Sequence, residues 1–284
     1  MPAGAARNDA DYIRDRVRGG DQDRYWAALL APEPLRGRLL ALYAFNLEIA
    51  HIPEQVSEAQ LGAIRLEWWR EALHLALTEG GSDHPVLKPL AAAVASHALA
   101  PTLLEGMIDA RSFDLAREPM PDFGALRDFL SATAGAVFRL GAQMAGAPGG
   151  APEASEHAAV AYGLTGLMRA LPYHAAKGQI FIPGDLLAKH GLHPQTLMHG
   201  EDNQDLRAAL RELRHIASEA LSAARRELGK LPREALVPFL PLTLVSSYLN
   251  ALGAPDHHPL HDIAQLNPLI RYGLIWRAHL RKRV

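Results

Sequence analysis

Glu48, His51 and Glu54 follow one another at three-residue spacing, which on a helix gathers two carboxylates and an imidazole toward one side. With His174 facing them, the set has the donor types from which helical bundles build transition-metal sites. The alternative is a hydrogen-bonded core network. Asp109 and Asp114, in the string IDARSFDLARE, also invite a metal reading, but five residues place them about 140° apart on a helix. They cannot grip one ion together, so salt-bridged or solvated positions are expected. His257, His258 and His261 fall in a proline-flanked loop, and His190, His193 and His199 form a looser set. Neither has the i, i+4 pairing plus third ligand that zinc requires, so surface positions are expected. Trp68 and Trp69, with Tyr43 and Phe45, either line a hydrophobic tunnel or pack as ordinary core.

The elements that must carry these residues are helices. Leu35, Leu39, Leu42, Tyr43 and Ile49 recur at helical spacing across 35 to 52, and Pro53 ends or kinks that helix. Ser57 then precedes LGAIRLEWWREALHLAL, where Leu61, Ile64, Trp68 and Leu75 repeat at helical spacing up to a Gly80-Gly81 stop. Further helices are expected at 85 to 99, 101 to 116, 122 to 146, 154 to 175, 202 to 229, 233 to 252 and 262 to 282. No alternating strand pattern stands out, and APGGAPE and GDLLAKHGLHPQTLMHG are the longest stretches expected to be non-helical. Neither is long enough to demand a domain boundary, so one all-α domain is expected over residues 23–284, behind a polar N-terminal segment at 1–22.

Of the 284 residues, 49% are hydrophobic and 21% charged, which fits a packed globular chain and excludes a disordered one. A net charge of −2 provides no field to hold a polyanion, so nucleic acid is not an expected partner. With no cysteine there is no disulfide, thiolate zinc site or Fe–S cluster. The N-terminus lacks the apolar stretch of a signal peptide. Ala235 to Pro255 carries no charge, but Pro238 and Pro241 interrupt it, so a buried core helix is expected there in place of a membrane span.

Two segments carry more than periodicity. LLALYAFNLEIAHIPEQVSE with IRLEWWREAL, and YGLTGLMRALPYHAAKGQIFIPGDLLAKHGL, resemble squalene/phytoene synthases. The framing residues that match are Tyr43, Ala44 and Phe45 in the first segment, and Arg169, Lys177, Gly178, Ile182 and Pro183 in the second. The resemblance implies an isoprenoid-synthase fold with a central cavity. In active members, two aspartate pairs, each four residues apart, hold a Mg²⁺ cluster that stabilises the diphosphate leaving group. At the matching positions this chain has Ala50 and Glu54, then Ala170 and His174. Three of the four oxygen ligands are thereby replaced, and His174 suits a softer metal than Mg²⁺. The strings FN-x-E-I-A, V-S-E, W-W-R and L-x-R-A-x-P-Y-H further resemble a divergent branch that includes the mitochondrial assembly factor for respiratory complex I, over roughly Asp23 to Arg281.

The resemblance implies a catalytically degenerate homologue that assists assembly of a respiratory or membrane complex, with no cofactor and a client protein as partner. The alternatives are a Mg²⁺-dependent prenyltransferase with altered acids, or an isoprenoid- or lipid-binding protein. Tyr43, Glu48, His51, Glu54, Arg169, His174 and Lys177 are the candidate pocket residues. Arg169 and Lys177, with His174, form either an anion site for a prenyl diphosphate, a lipid head group or a carboxylate, or ion pairs with Glu54, Glu48 or Asp185. The expected location is the cytoplasm, with peripheral contact to the inner membrane. The C-terminal PLIRYGLIWRAHLRKRV is basic and aromatic, and is either that contact or a last core helix with a solvated tail.

Overall fold

A computed structural model describes residues 8–56, 58–79 and 82–284, and among them every regular element is a helix. In chain order these are α1 (Asp9–Gly20), α2 (Gln22–Leu29), α3 (Leu35–Ala50), α4 (Ile52–Gln55), α5 (Ala59–Thr78), α6 (Leu87–His97), α7 (Pro101–Ala116), α8 (Phe123–Leu130) and α9 (Ala136–Met144). They continue as α10 (Pro152–Ala158), α11 (Leu164–Arg169), α12 (Leu171–Ala176), α13 (Gly184–Lys189), α14 (Pro194–Met198), α15 (Gln204–Leu228), α16 (Val245–Leu252) and α17 (Pro268–Arg281). Ser57, Gly80 and Gly81, the expected start and stop signals around α5, lie outside the described residues, as do residues 1–7.

Helix α3 is apolar nearly all round, and its residues from Leu39 to Leu47 are all buried. Such a helix belongs at the centre of a core, and α1, α6, α7 and α9 surround it. A second apolar cluster forms along α15, where Leu206, Leu210, Leu213, Ala217, Leu221 and Leu228 face α10 and the segment Ala159–Gly163. Within Arg233–Leu252 an 18-residue window has a mean hydropathy of 1.5, and 72% of that window is buried. Its first part, Arg233–Leu244, is a 3₁₀ helix carrying Pro238 and Pro241, so the charge-free run is core, as its prolines suggested.

The packed body begins earlier than residue 23. Asn8 caps α1 through its side chain, and Ile13 and Val17 are buried in the same cluster as α3. Helix α3 stops at Ala50 and α4 restarts with Pro53 in its first turn, which is the kink expected there. The 154 to 175 helix is likewise broken, at Ala170, because Pro172 opens α12. The GDLLAKHGLHPQTLMHG region was expected to be irregular but forms α13 and α14, each pinned by a buried leucine, Leu187 and Leu197. Gly191 and Gly200 adopt positive φ just after each helix.

Two π-helical turns, Ser131–Gly135 and Ala159–Gly163, sit side by side, with Gly135 against Ala159 and Gly163 against Leu130. An inserted residue widens each helix there, a device that recurs at functional sites. In the APGGAPE stretch, Gly150 has φ +74°, and a Cβ there would run into the Arg139 carbonyl oxygen, so only glycine closes this turn without strain.

Candidate functional site

The paired π turns form one wall of a cavity of about 300 Å³. Helix α3 contributes Asn46 and Ala50, α4 contributes Pro53 and Glu54, and α7 contributes Arg111 and Asp114. Thr133 and Tyr162 come from the π turns, Tyr173 and His174 from α12, and Lys177, Gln179 and Phe181 from the chain that follows. Arg24 and Arg117 complete the charged lining. The wall thus carries Arg24, Arg111, Arg117 and Lys177 against only Glu54 and Asp114, which favours an anionic guest.

Arg111 and Asp114, one helical turn apart on α7, pair at 3.0 Å, and Arg111 reaches Asn46 Oδ1 at 3.5 Å. Burial pushes the Asp114 carboxyl up, with Arg111 opposing. Arg111 Nε, Asp114 Oδ1 and Gln179 Nε2 are buried and have no hydrogen-bond partner among the described residues. Leaving such atoms unpaired is costly, and a polar group of a guest would satisfy them. Arg24 is held by Asp21 at 3.2 Å beneath the Tyr162 ring, 4.8 Å from its centroid. His174 packs edge-on against Phe181, and burial, with Lys177 adding, lowers its pKa to about 4. It is therefore neutral near pH 7.

The sequence candidates divide between this cavity and its surroundings. Glu54, His174 and Lys177 line it together, with Ala50 beside them, whereas Ala170 sits at the α11–α12 break and is not part of the lining. Glu48 turns instead toward α1, where Arg16 Nε donates to it at 2.8 Å and the Tyr12 hydroxyl at 2.9 Å. His51 donates from Nδ1 to the Leu47 carbonyl at 2.6 Å and stands 3.9 Å from Glu54. Glu48 and His51 therefore do not face His174, and the hydrogen-bonded network replaces the metal reading. Among the described residues no group of three His, Cys, Asp or Glu side chains is placed to hold an ion.

Arg169 lies behind the cavity. Its Nε donates to the Ala264 carbonyl at 3.1 Å and its guanidinium stacks 3.7 Å from the Tyr248 ring centroid. Lys177 Nζ lies 4.5 Å from the Tyr173 ring. Neither cation forms the expected ion pair: Glu48 is taken by Arg16, and Asp185 accepts from the backbone of Phe123 and Leu186. Tyr43 and Phe45 are wholly buried, Trp69 packs on Phe45 and His84, and Trp68 is half exposed, so these aromatics are core and surface and line no tunnel. His257, expected at the surface, is buried, and its carbonyl accepts from Arg207. Asp109 and Asp114 diverge as their spacing requires, Asp109 outward to Arg70 and Asp114 inward to the cavity. Asp114, Arg111, Asn46 and Gln179 were not singled out as site residues, and the one local hint was the Arg-x-x-Asp spacing of 111 and 114.

Mg²⁺ demands near-octahedral oxygen ligands. Of Ala50, Glu54, Ala170 and His174 only Glu54 supplies oxygen, and Asp114, with Oδ2 paired to Arg111, leaves one further carboxylate oxygen, fewer than the two facing aspartate pairs would provide. These residues do not fit a Mg²⁺–diphosphate cluster.

A family model described as squalene/phytoene synthase matches residues 17–283, and the chain belongs to that family. A mouse relative named NADH dehydrogenase (ubiquinone) complex I, assembly factor 6 is 28% identical, over 94% of this chain and 81% of that protein. A presqualene diphosphate synthase of Rhodopseudomonas palustris is 26% identical, over 59% of this chain and 60% of that protein. Among solved structures, squalene synthase HpnC from Alicyclobacillus acidocaldarius superimposes with a TM-score of 0.76 at 20% identity, covering 86% of this chain and 92% of that one. The all-α isoprenoid-synthase fold expected from the sequence is the fold observed.

Proposed function

We propose that this protein is a non-catalytic member of the squalene/phytoene synthase family that acts as an assembly or interaction factor for a respiratory membrane complex. What supports the reading is the donor set: two alanines, one glutamate and a neutral imidazole occupy the positions that the family resemblance matches to the four aspartates. Without a metal cluster, departure of a diphosphate loses its main electrophile. The likeness to a relative named for complex I assembly supports a complex I-related client and a place at the membrane. The open, cationic cavity supports a second role compatible with the first, in which an anionic amphiphile such as a prenyl diphosphate or a phospholipid stabilises the fold without being turned over.

Deletion of the gene in the source organism, followed by native-gel quantification of assembled NADH dehydrogenase, tests the reading. Loss of the assembled complex and equal rescue by wild type and by Glu54→Gln are expected, because Glu54 is the one carboxylate left among the four positions. Normal assembly with loss of an isoprenoid product, restored by wild type but not by Glu54→Gln, would overturn it.

A further inference from the structure

Helix α17 has two apolar faces, and among the described residues only one of them is buried. Ile275 and Ala278 are buried against the segment Arg233–Leu244 and α2, and Arg271 on the same side donates to Asp23 at 2.6 and 2.8 Å. Asp23 is almost wholly buried, so this ion pair fixes the rotation of the helix about its axis. Away from that side Leu269 is 81% exposed, Trp276 44% and Leu280 61%, while Tyr272, whose ring meets Trp26 of α2 edge-on, is still 42% exposed. At 100° per residue these four fall within an arc of about 80°. Ile270, Arg277 and Arg281 flank the arc, Lys282 and Arg283 follow it, and all five are exposed. No acidic residue occurs from Asn267 to the end of the chain.

We infer that the outer face of α17 docks on the surface of an anionic phospholipid bilayer. Leu269, Trp276 and Leu280 would enter the boundary between head groups and acyl chains, Tyr272 and Trp276 sit where amphipathic rings are favoured, and the unopposed cations meet the lipid phosphates. Charge sets this surface apart from the other exposed apolar stripe, Leu61, Ile64, Trp68 and Leu75 on α5. That stripe is interspersed with Glu58, Glu67 and Glu71 as well as Arg65 and Arg70, and has no preference for an anionic plane. The inference stands apart from the assembly reading, because it is tested with lipid alone.

The test is co-sedimentation of the full chain with phosphatidylcholine vesicles, with and without phosphatidylglycerol. Binding is expected only to the anionic vesicles and should weaken with salt. R277Q/R281Q removes two surface cations at about fivefold each, so affinity should drop roughly 25-fold. L269S/W276S/L280S should lower it at least roughly tenfold, while I64S/W68S on α5 leaves it unchanged. Because the chain has no cysteine, L269C and S222C can each carry one polarity-sensitive dye without disturbing the packed face. The dye should shift on anionic vesicles at 269 and stay unchanged at 222, a readout independent of how the multiple variants fold. Equal binding to neutral vesicles, no binding to anionic ones, no shift at 269, or a dimer abolished by L269S/W276S/L280S in a chain that ignores vesicles would each overturn the inference.

Discussion

Replacing Arg271 by Met removes one partner of the ion pair that ties α17 to the body and leaves Asp23 buried, with the Tyr248 hydroxyl at 3.3 Å as its remaining donor. Breaking a buried pair from one side costs roughly 3–5 kcal/mol, far more than an exposed pair contributes. Burial already holds the Asp23 carboxyl above the usual range; Asp21 pushes the same way and Arg271 pulls it down. Without Arg271 it rises further, so the folded variant keeps a proton that the unfolded chain releases. The corresponding stability is fully present below the unfolded pKa and is lost as pH rises through the folded pKa. Urea denaturation of wild type and Arg271→Met at pH 8 and pH 5 should therefore show a deficit of roughly 3–5 kcal/mol at pH 8 that shrinks at pH 5. The double variant Asp23→Leu, Arg271→Met should recover much of the loss, since an apolar pair leaves no charge stranded. A deficit below about 1 kcal/mol at pH 8, or one that grows toward pH 5, would refute the reasoning.

Burial and Lys177 lower the His174 pKa to about 4, so its ring protons should show no titration in NMR spectra between pH 8 and pH 5. A depressed histidine gives stability that is complete above the unfolded pKa and lost as pH falls toward the folded one. His174→Phe should therefore lose roughly 2–3 kcal/mol less than wild type on acidification from pH 7 to pH 4, measured by denaturant midpoints. Gly150→Ala should destabilise by roughly 1–3 kcal/mol, because its positive φ and the Arg139 carbonyl leave no room for a Cβ; a melting curve that matches wild type would contradict this.

Helices with clear periodicity and flanking breakers were legible from sequence: α5, α7 and α15 lie where the apolar spacing put them. Boundaries set by tertiary packing were not. The positive-φ turns and buried leucines of α13 and α14 are too short to register as periodicity, and the π turns preserve the overall helical pattern while shifting its phase by one residue. Of the candidate pocket residues, Glu54, His174 and Lys177 come together in the lining of one cavity. Glu48 turns away from the cavity because α1, whose Tyr12 and Arg16 draw it outward, belongs to the segment taken as merely polar, and His51 is held by the Leu47 carbonyl of its own helix. The Arg111–Asp114 pair is local to α7, but its meeting with Asn46 of α3, 65 residues away, is a contact that no local pattern encodes.

The most direct test of the central claim is diphosphate release from farnesyl and geranylgeranyl diphosphate with Mg²⁺ by the purified wild-type protein. An Ala50→Asp, Ala170→Asp, His174→Asp variant and an active synthase serve as comparisons. No release by the wild type, at protein concentrations where the active synthase turns over, is the predicted result. Release that depends on Mg²⁺ and is lost in Glu54→Gln would contradict the account and make this chain an enzyme with an altered acid set.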